Sequence, residues 1–374
     1  MNFRTSIQDA LNLTRSQRLM EATQRIQEVL SGEKQTAKET PDQSNPSKYF
    51  GKAVRPLAQV VQTLQKMKQS QFALEKAGRL PSPTEPELID GAKFVSRSFS
   101  CKAGSRSYKL YVPSHQSNDK RPLLIMLHGC KQNPSDFAVG TGMNALAESR
   151  GMLVAYPAQS KTANPSACWN WFNPSHQQQD IGEPSLIAGI TTEIMNSNNI
   201  DANQVFVAGL SAGAAMAVVM GVTYPHIYSG VGVHSGLPYQ SATDVVSAFA
   251  AMRGELLPKP ISTKIRTIIF HGDADGTVSP SNAKMIINGI HFANQFEERG
   301  LSKGGRNYTR NVFVDQKGIP IVENWLIHGA GHAWSGGNPQ GSYTDSAGPD
   351  ASAEMLRFFM EEGPSKISTE SNRS

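Results

Sequence analysis

Short, continuous apolar runs recur after residue 92, and they restrict the fold of this chain more than any other feature. The run Leu-Leu-Ile-Met-Leu at residues 123–127 is typical, and helix-like or glycine-rich sequence separates it from the next run. A strand that is apolar at every position is buried on both faces. Such strands in alternation with helices predict a mostly parallel sheet with helices on both faces, an α/β fold. The strands predicted from these runs are residues 123–127, 152–156, 205–208, 231–233, 265–270 and 321–327. Alternating apolar and polar residues predict two further strands before them, over 93–100 and 107–112.

The beginning of the chain has a different character. Residues 7–30 mix leucine, isoleucine and valine with arginine at irregular spacings, which predicts one or two amphipathic helices. Prolines over residues 81–86 then interrupt the chain. We therefore expect a helical extension with a proline-rich linker over 1–88, a catalytic domain over 89–362 and a polar tail over 363–374.

Charge and composition exclude several protein classes. Lys and Arg number 36 against 31 Asp and Glu, and this excess of +5 is too small and scattered to predict nucleic-acid binding. The sequence contains no run of about 18 apolar residues, so we expect no transmembrane segment. The histidines show no spacing typical of metal ligands, so we expect neither a metal nor a cofactor. The first residues do not form a signal peptide as written, which favours a cytoplasmic location.

Ser211 is the candidate nucleophile. It lies in Gly-Leu-Ser-Ala-Gly at residues 209–213, between a predicted strand and a predicted helix over 212–222. The pattern G-x-S-x-G in this context is the nucleophile elbow, a sharp turn that exposes the serine hydroxyl. The flanking glycines let strand and helix approach, and the helix N-terminus faces the developing negative charge. Ser235 also follows a strand but lacks the elbow, so we expect a loop residue there.

A serine nucleophile needs a base and a carboxylate that orients the base. In this fold class they follow the serine in the order aspartate, then histidine. Asp275 is preferred because it lies at the turn beyond the strand, whereas Asp273 is nearer the strand end and is expected to brace the loop. His332, in a glycine-flanked loop, is the predicted base, whereas His328 is expected to be structural.

The oxyanion hole of such an enzyme uses backbone N–H groups, one after the nucleophile and one from an earlier strand–helix loop. This rule predicts the N–H of Ala212 and an N–H from the loop at residues 129–131. His128, at the end of the preceding strand, is expected to brace that loop with its ring.

Five short motifs follow one another along the chain. They are Leu-His-Gly-Cys-Lys-Gln at 127–132, Cys-Trp-Asn-Trp-Phe at 168–172, Gly-Leu-Ser-Ala-Gly-Ala at 209–214, His-Gly-Asp-Ala-Asp at 271–275 and Gly-His-Ala-Trp at 331–334. In this order they resemble the polyhydroxybutyrate depolymerase family of esterases, which also contains feruloyl and acetylxylan esterases. The resemblance spans about residues 92–361 and implies an α/β-hydrolase fold. It further implies a Ser211–Asp275–His332 triad, an oxyanion donor at the Cys130 N–H, and hydrolysis of 3-hydroxyalkanoate esters through an acyl-enzyme.

Two features beside the predicted triad leave alternatives open. The family pattern implies a disulfide between Cys130 and Cys168, whereas a chain without a signal peptide favours two reduced thiols. The aromatic side chains Trp169, Trp171 and Trp334 are expected to wall a substrate cleft for an apolar ester chain. Core packing would explain any one of them equally well.

The leading hypothesis is a serine esterase that hydrolyses poly- or oligo-3-hydroxybutyrate. One alternative is a feruloyl or acetylxylan esterase, and another is a granule-associated binding protein on a hydrolase scaffold. Only a short polar tail follows residue 363, so soluble oligomers, amorphous granules or short acyl esters fit better than crystalline polymer. The N-terminal helices are candidates for contact with a granule surface or a second copy of the chain. The family resemblance keeps an extracellular location open.

Overall fold

The computed structural model describes residues 85–115, 119–256, 265–288 and 290–360. The amphipathic helices expected over residues 7–30, most of the extension and the whole polar tail lie outside these ranges. The expected domain boundaries therefore stay predictions. Within the described ranges, no helix has the length and apolar character that crossing a membrane requires.

A ten-stranded sheet forms the centre of the described structure. Its strands are β1 (Lys93–Cys101), β2 (Gly104–Val112), β3 (Arg121–Leu127), β4 (Leu153–Pro157), β5 (Ile200–Leu210), β6 (Gly230–His234), β7 (Arg266–Gly272), β8 (Asn294–Leu301), β9 (Asn307–Val314) and β10 (Pro320–Ile327). The order across the sheet is β1-β2-β4-β3-β5-β6-β7-β10-β9-β8. Neighbours from β4 to β10 are parallel, and the outer strands at both edges are antiparallel.

Helices and short elements connect these strands. The helices of the described residues are α1 (Pro134–Thr141), α2 (Met143–Glu148), α3 (Gly182–Ser197), α4 (Ala212–Thr223), α5 (Val245–Met252), α6 (Ser281–Ile287) and α7 (Ala351–Met360). A 3-10 turn covers Pro174–His176, and a separate parallel pair joins β11 (Trp334–Ser335) to β12 (Thr344–Asp345).

The apolar runs are explained by two cores, one on each face of the sheet. In β3, Leu123 and Ile125 belong to the core that contains α3 and α4. Leu124 and Met126 belong to the core that contains α2 and α7. Alternate residues of a strand point to opposite faces, so a strand covered on both sides must be apolar throughout. The predicted α/β fold with a mostly parallel sheet is confirmed.

The structure differs from the sequence-based expectation mainly at one edge of the sheet. Strands β8 and β9 form an antiparallel extension that the apolar runs did not predict. Seven of the eight residues of β8 are exposed. Because a strand without a buried face carries no apolar pattern, its sequence cannot be distinguished from that of a polar loop.

Candidate active site

Ser211 occupies a sharp turn between β5 and α4, as the elbow motif predicts. Its φ of 57° and ψ of −120° lie in a region that residues with a side chain rarely adopt. The residue is half-buried, and its hydroxyl makes no capping hydrogen bond to the helix that follows. This backbone conformation carries strain that the surrounding packing must support.

The two glycines of the motif have a packing reason. A Cβ on Gly213 would collide with the carbonyl oxygen of Leu127, and a Cβ on Gly209 would collide with the backbone of Gly213. The end of β3, the end of β5 and the first turn of α4 are therefore in direct backbone contact. Only glycine at both positions lets the turn carry a serine at its tip.

Asp275 and His332 form a hydrogen-bonded pair beyond the ends of β7 and β10. The Nδ1 atom of His332 is 2.7 Å from Oδ2 of Asp275. The other carboxylate oxygen accepts the backbone N–H groups of Thr277 and Val278, each at 2.9 Å. The Asp275 side chain is fully buried, and that of His332 is 14% exposed. These contacts hold the carboxylate in one orientation.

The charge state of this pair follows from its contacts. Burial raises the pKa of the Asp275 carboxyl, but hydrogen bonds from His271 and His332 outweigh it and hold the pKa well below its usual range. An ionised carboxylate can only accept, so Nδ1 of His332 carries the proton. Nε2 is then the ring nitrogen that can accept a proton from a nucleophile.

Asp273 and His328, which the sequence analysis did not prefer for the triad, form a second aspartate–histidine pair. The carboxylate of Asp273 binds Nδ1 of His328 at 2.8 Å and accepts the Gly329 N–H at 2.7 Å, so it braces the loop, as predicted. Nε2 of His328 contacts the Thr309 hydroxyl at 2.9 Å. No group of three or more His, Cys, Asp or Glu side chains suited to a metal ion occurs within the described ranges.

His234, at the end of β6, joins the serine turn to the histidine loop. Its carbonyl accepts the Ser211 N–H at 2.9 Å, and its Nε2 accepts the Ser335 N–H at 2.9 Å. Burial, together with the neighbouring His271 and His332, lowers the pKa of His234 to about 3. The ring is therefore neutral and able to accept. The sequence analysis did not predict this role of His234. The signal that could have indicated it is a histidine placed at the end of a buried strand.

The loop after β3 lies beside the serine turn, because Leu127 pairs with Gly209 in adjacent strands. A disulfide joins Cys130 to Cys168, which agrees with the family pattern and not with two reduced thiols. Neither the Cys130 N–H nor the Ala212 N–H donates a backbone hydrogen bond within the described residues. They stay the candidate oxyanion donors.

A buried glutamine in the motif at residues 127–132, to which the sequence assigned no role of its own, fixes the same loop. Oε1 of Gln132 accepts the Gly129 N–H at 2.9 Å. Its amide nitrogen donates to the carbonyl of Ser342 and to Asp136, both at 3.1 Å. The loop after β3 is thereby attached to the segment before β12. No local pattern reveals this contact, since its partners are 210 residues apart.

The three tryptophans do not form an exposed surface. Trp169, Trp171 and Trp334 are 0%, 6% and 1% exposed. Trp334 stacks on His234 with ring centroids 5.1 Å apart, and its indole N–H donates to Ser352 at 3.0 Å. This burial agrees with core packing, the alternative left open for each of them, and their large apolar area stabilises the core beneath the loops. That they wall a substrate cleft stays a prediction.

The sheet order, the serine turn after β5 and the aspartate–histidine pair after β7 and β10 define an α/β-hydrolase. The sequence model of one family, described as Esterase PHB depolymerase, matches residues 106–307, more than half of the chain. The chain therefore belongs to the PHB depolymerase family of esterases.

Individual relatives agree with this assignment. Poly(3-hydroxyalkanoate) depolymerase C of Paucimonas lemoignei is 31% identical over 251 residues, or 63% of this chain and 60% of that protein. Poly(3-hydroxybutyrate) depolymerase of Ralstonia pickettii is 29% identical over 64% of this chain and 54% of that protein. Feruloyl esterase B of Neurospora crassa is 26% identical over 67% of this chain and 86% of that protein. The chain thus spans less than two thirds of the length of both depolymerases.

A solved structure supports the fold independently. The acetyl xylan esterase from Aspergillus awamori superimposes with a TM-score of 0.54 at 20% sequence identity. The match covers 64% of this chain and 93% of that chain. At this identity the likeness concerns the fold alone.

Proposed function

We propose that the protein is a serine esterase with Ser211 as nucleophile, His332 as general base and Asp275 as the carboxylate that orients the base. The observation that carries this proposal is the 2.7 Å bond between His332 and a buried Asp275, on the sheet edge where Ser211 is held on its strained turn. A binding protein on this fold would need none of these features.

In the acylation step, Oγ of Ser211 attacks the ester carbonyl carbon while its proton moves to Nε2 of His332. The carbonyl oxygen becomes negatively charged and accepts hydrogen bonds from the N–H groups of Cys130 and Ala212. When the carbonyl re-forms, the carbon–oxygen bond to the alcohol breaks. The leaving alcohol takes the proton from His332, and the acyl group stays on Ser211.

Deacylation repeats these steps with water. His332 removes a proton from a water molecule, whose oxygen attacks the acyl carbon and forms a second tetrahedral intermediate. Its collapse returns the proton to Ser211 Oγ and releases the carboxylic acid. Asp275 stays ionised throughout and stabilises the imidazolium that forms twice in each cycle.

The substrate class that we propose is 3-hydroxyalkanoate esters. The family and both depolymerase relatives support this class. Feruloyl or acetylxylan esters are the alternative, since this chain matches 86% of the length of Feruloyl esterase B. A disulfide beside the site is typical of oxidising compartments, so it favours an extracellular protein over the cytoplasmic location inferred from the sequence.

A substrate panel with two serine variants tests the proposal. Ser211→Ala should lose at least about a thousandfold in activity on p-nitrophenyl butyrate and should no longer react with a fluorophosphonate. Ser235→Ala is the matched control, since Ser235 also follows a strand and has a positive φ of 50° but is fully buried. Wild-type rates in Ser211→Ala would exclude the assigned nucleophile. Faster turnover of methyl ferulate than of hydroxybutyrate trimers would favour the alternative substrate class.

A further inference from the structure

A buried carboxylate outside the proposed triad has an unusually complete set of donors. Glu183, in the first turn of α3, is 1% exposed. It accepts the backbone N–H of Asn170 at 2.8 Å and the Asn170 side-chain amide at 2.7 Å. It also accepts the Gln159 amide and lies 3.4 Å from the Arg106 guanidinium. A buried charge is costly unless its contacts compensate for the lost hydration, so this arrangement calls for a reason.

One branch of these contacts leads to the loop after β3. The Gln159 side chain that binds Glu183 also donates to the Cys168 carbonyl at 2.8 Å. The Gln159 backbone N–H donates to Nε2 of His128 at 3.0 Å. Because Nε2 accepts, the proton of the neutral ring is on Nδ1, which donates to the Gly129 carbonyl at 2.8 Å. Burial lowers the pKa of His128 to about 4, which keeps the ring neutral near pH 7.

The orientation of the Gly129 carbonyl determines where the next N–H points. The carbonyl of Gly129 and the N–H of Cys130 belong to one planar trans peptide, so they point in opposite directions. With the carbonyl held toward His128, the Cys130 N–H is directed away from that ring. This N–H donates no backbone hydrogen bond within the described residues.

A second branch reaches the same cysteine. Glu183 holds the backbone of Asn170, and Gln159 holds the carbonyl of Cys168. Cys168 is joined by its disulfide to Cys130. The Glu183 carboxylate therefore restrains Cys130 indirectly by two routes. One runs through Gln159 and His128 to the peptide that carries the Cys130 N–H, and the other runs through Cys168 to the Cys130 sulfur.

We infer that Glu183 is a positioning residue for ester hydrolysis, acting through Gln159 and His128 on the peptide plane that carries the Cys130 N–H. The inference rests on the proposed function, in which that N–H binds the oxyanion. Glu183 contacts no reacting atom. Its effect is to hold the donor in the orientation that the transition state requires.

The replacement Glu183→Gln tests this inference with little change in volume. One acceptor oxygen becomes an NH₂ group, which must face N–H donors of Gln159 or Asn170. We expect kcat to fall about tenfold to a hundredfold, less than the full loss of an oxyanion donor, because the donor is misplaced and not removed. KM should change much less, since the affected interaction is made only in the transition state.

A transition-state analogue gives a readout that general destabilisation would not move. A trifluoromethyl ketone forms a tetrahedral adduct with the active-site serine, so its inhibition constant should rise in proportion to the fall in kcat. Glu193→Gln is the matched control. It lies on the same helix, and its carboxylate accepts the Tyr108 hydroxyl at 2.7 Å. We expect wild-type kcat and inhibition constant for this control.

Variants of His128 test the last hydrogen bond of the proposed route, which the His128 ring donates to the Gly129 carbonyl. In His128→Asn the side-chain amide can still donate to the Gly129 carbonyl, whereas in His128→Leu it cannot. The asparagine variant should retain at least about ten times the kcat of the leucine variant, by the same oxyanion argument. This comparison stands even where Glu183→Gln does not fold.

Two results would overturn the inference. One is an unchanged inhibition constant in Glu183→Gln, whether or not kcat falls. The other is an equal loss of kcat in both His128 variants. Failure of the proposed function would look different, because Ser211→Ala would then retain activity and the fluorophosphonate reaction.

Discussion

At the scale of single residues, two aspartates only two positions apart have separate partners. Asp275 is buried against His332, and Asp273 is bound to His328 in a more exposed position. The position of Asp275 beyond the strand end favoured it in the sequence, and its contact with His332 agrees with that choice, but its catalytic role stays a prediction. Its depressed pKa and its additional contact with His271 were not accessible there, because they depend on burial.

Asp275→Asn should lower kcat by about ten-thousandfold, because an amide can donate to Nδ1 of His332 and hold the ring in the unproductive tautomer. The measurement is kcat on a short p-nitrophenyl ester near neutral pH. Asp273→Asn is the control and should cost far less, since its partner is His328. A larger loss of kcat in Asp273→Asn than in Asp275→Asn would contradict the choice of Asp275 as the carboxylate that orients the base.

At the scale of elements, the elbow depends on contact between β3, β5 and α4. The motif G-x-S-x-G was readable from the sequence because it combines a serine with two glycines at fixed spacing. Why the second glycine is needed became clear only in the folded chain, where the space beside Gly213 is filled by the Leu127 carbonyl. These two residues are far apart in sequence and meet through strand pairing.

Gly213→Ala should therefore lower the free energy of unfolding by about 1–3 kcal/mol or more, the usual cost of an overpacked buried site. Urea unfolding followed by circular dichroism measures this change. Gly276→Ala is the matched control, because a Cβ there meets no atom within 4 Å and the residue has no positive φ. Equal stabilities of the two variants would contradict the packing argument.

At the scale of the whole molecule, the buried histidines make stability depend on pH. Burial lowers the pKa of His128 to about 4 and that of His234 to about 3. In the unfolded chain both return to about 6.5. As pH falls below about 6.5, the unfolded chain therefore takes up protons that the folded protein does not. Stability is fully present above that pH and decreases below it.

Each buried histidine should contribute up to about 1.4 kcal/mol per pH unit to this slope. His234→Gln should reduce the slope of unfolding free energy between pH 6 and pH 4.5 by up to that amount. Carboxylates with lowered pKa values lose their contribution to stability mainly below this pH range. The histidines therefore dominate the slope of the unfolding free energy within it. An unchanged slope in urea titrations across this range would show that His234 protonates freely in the folded state.

Local pattern by itself predicted the α/β fold and the family, which are both confirmed, and it supplied the assignment of Ser211, Asp275 and His332, which stays a prediction. Apolar runs and glycine-flanked strand ends are local signals, because they reflect burial and turns within a few residues. Only the tertiary structure decided that the three tryptophans are buried, that β8 extends the sheet, and that Cys130 is bonded to Cys168. It also revealed Glu183 behind the oxyanion loop. These features are contacts between residues distant in sequence, and their geometry exists only once the sheet has aligned the strand ends.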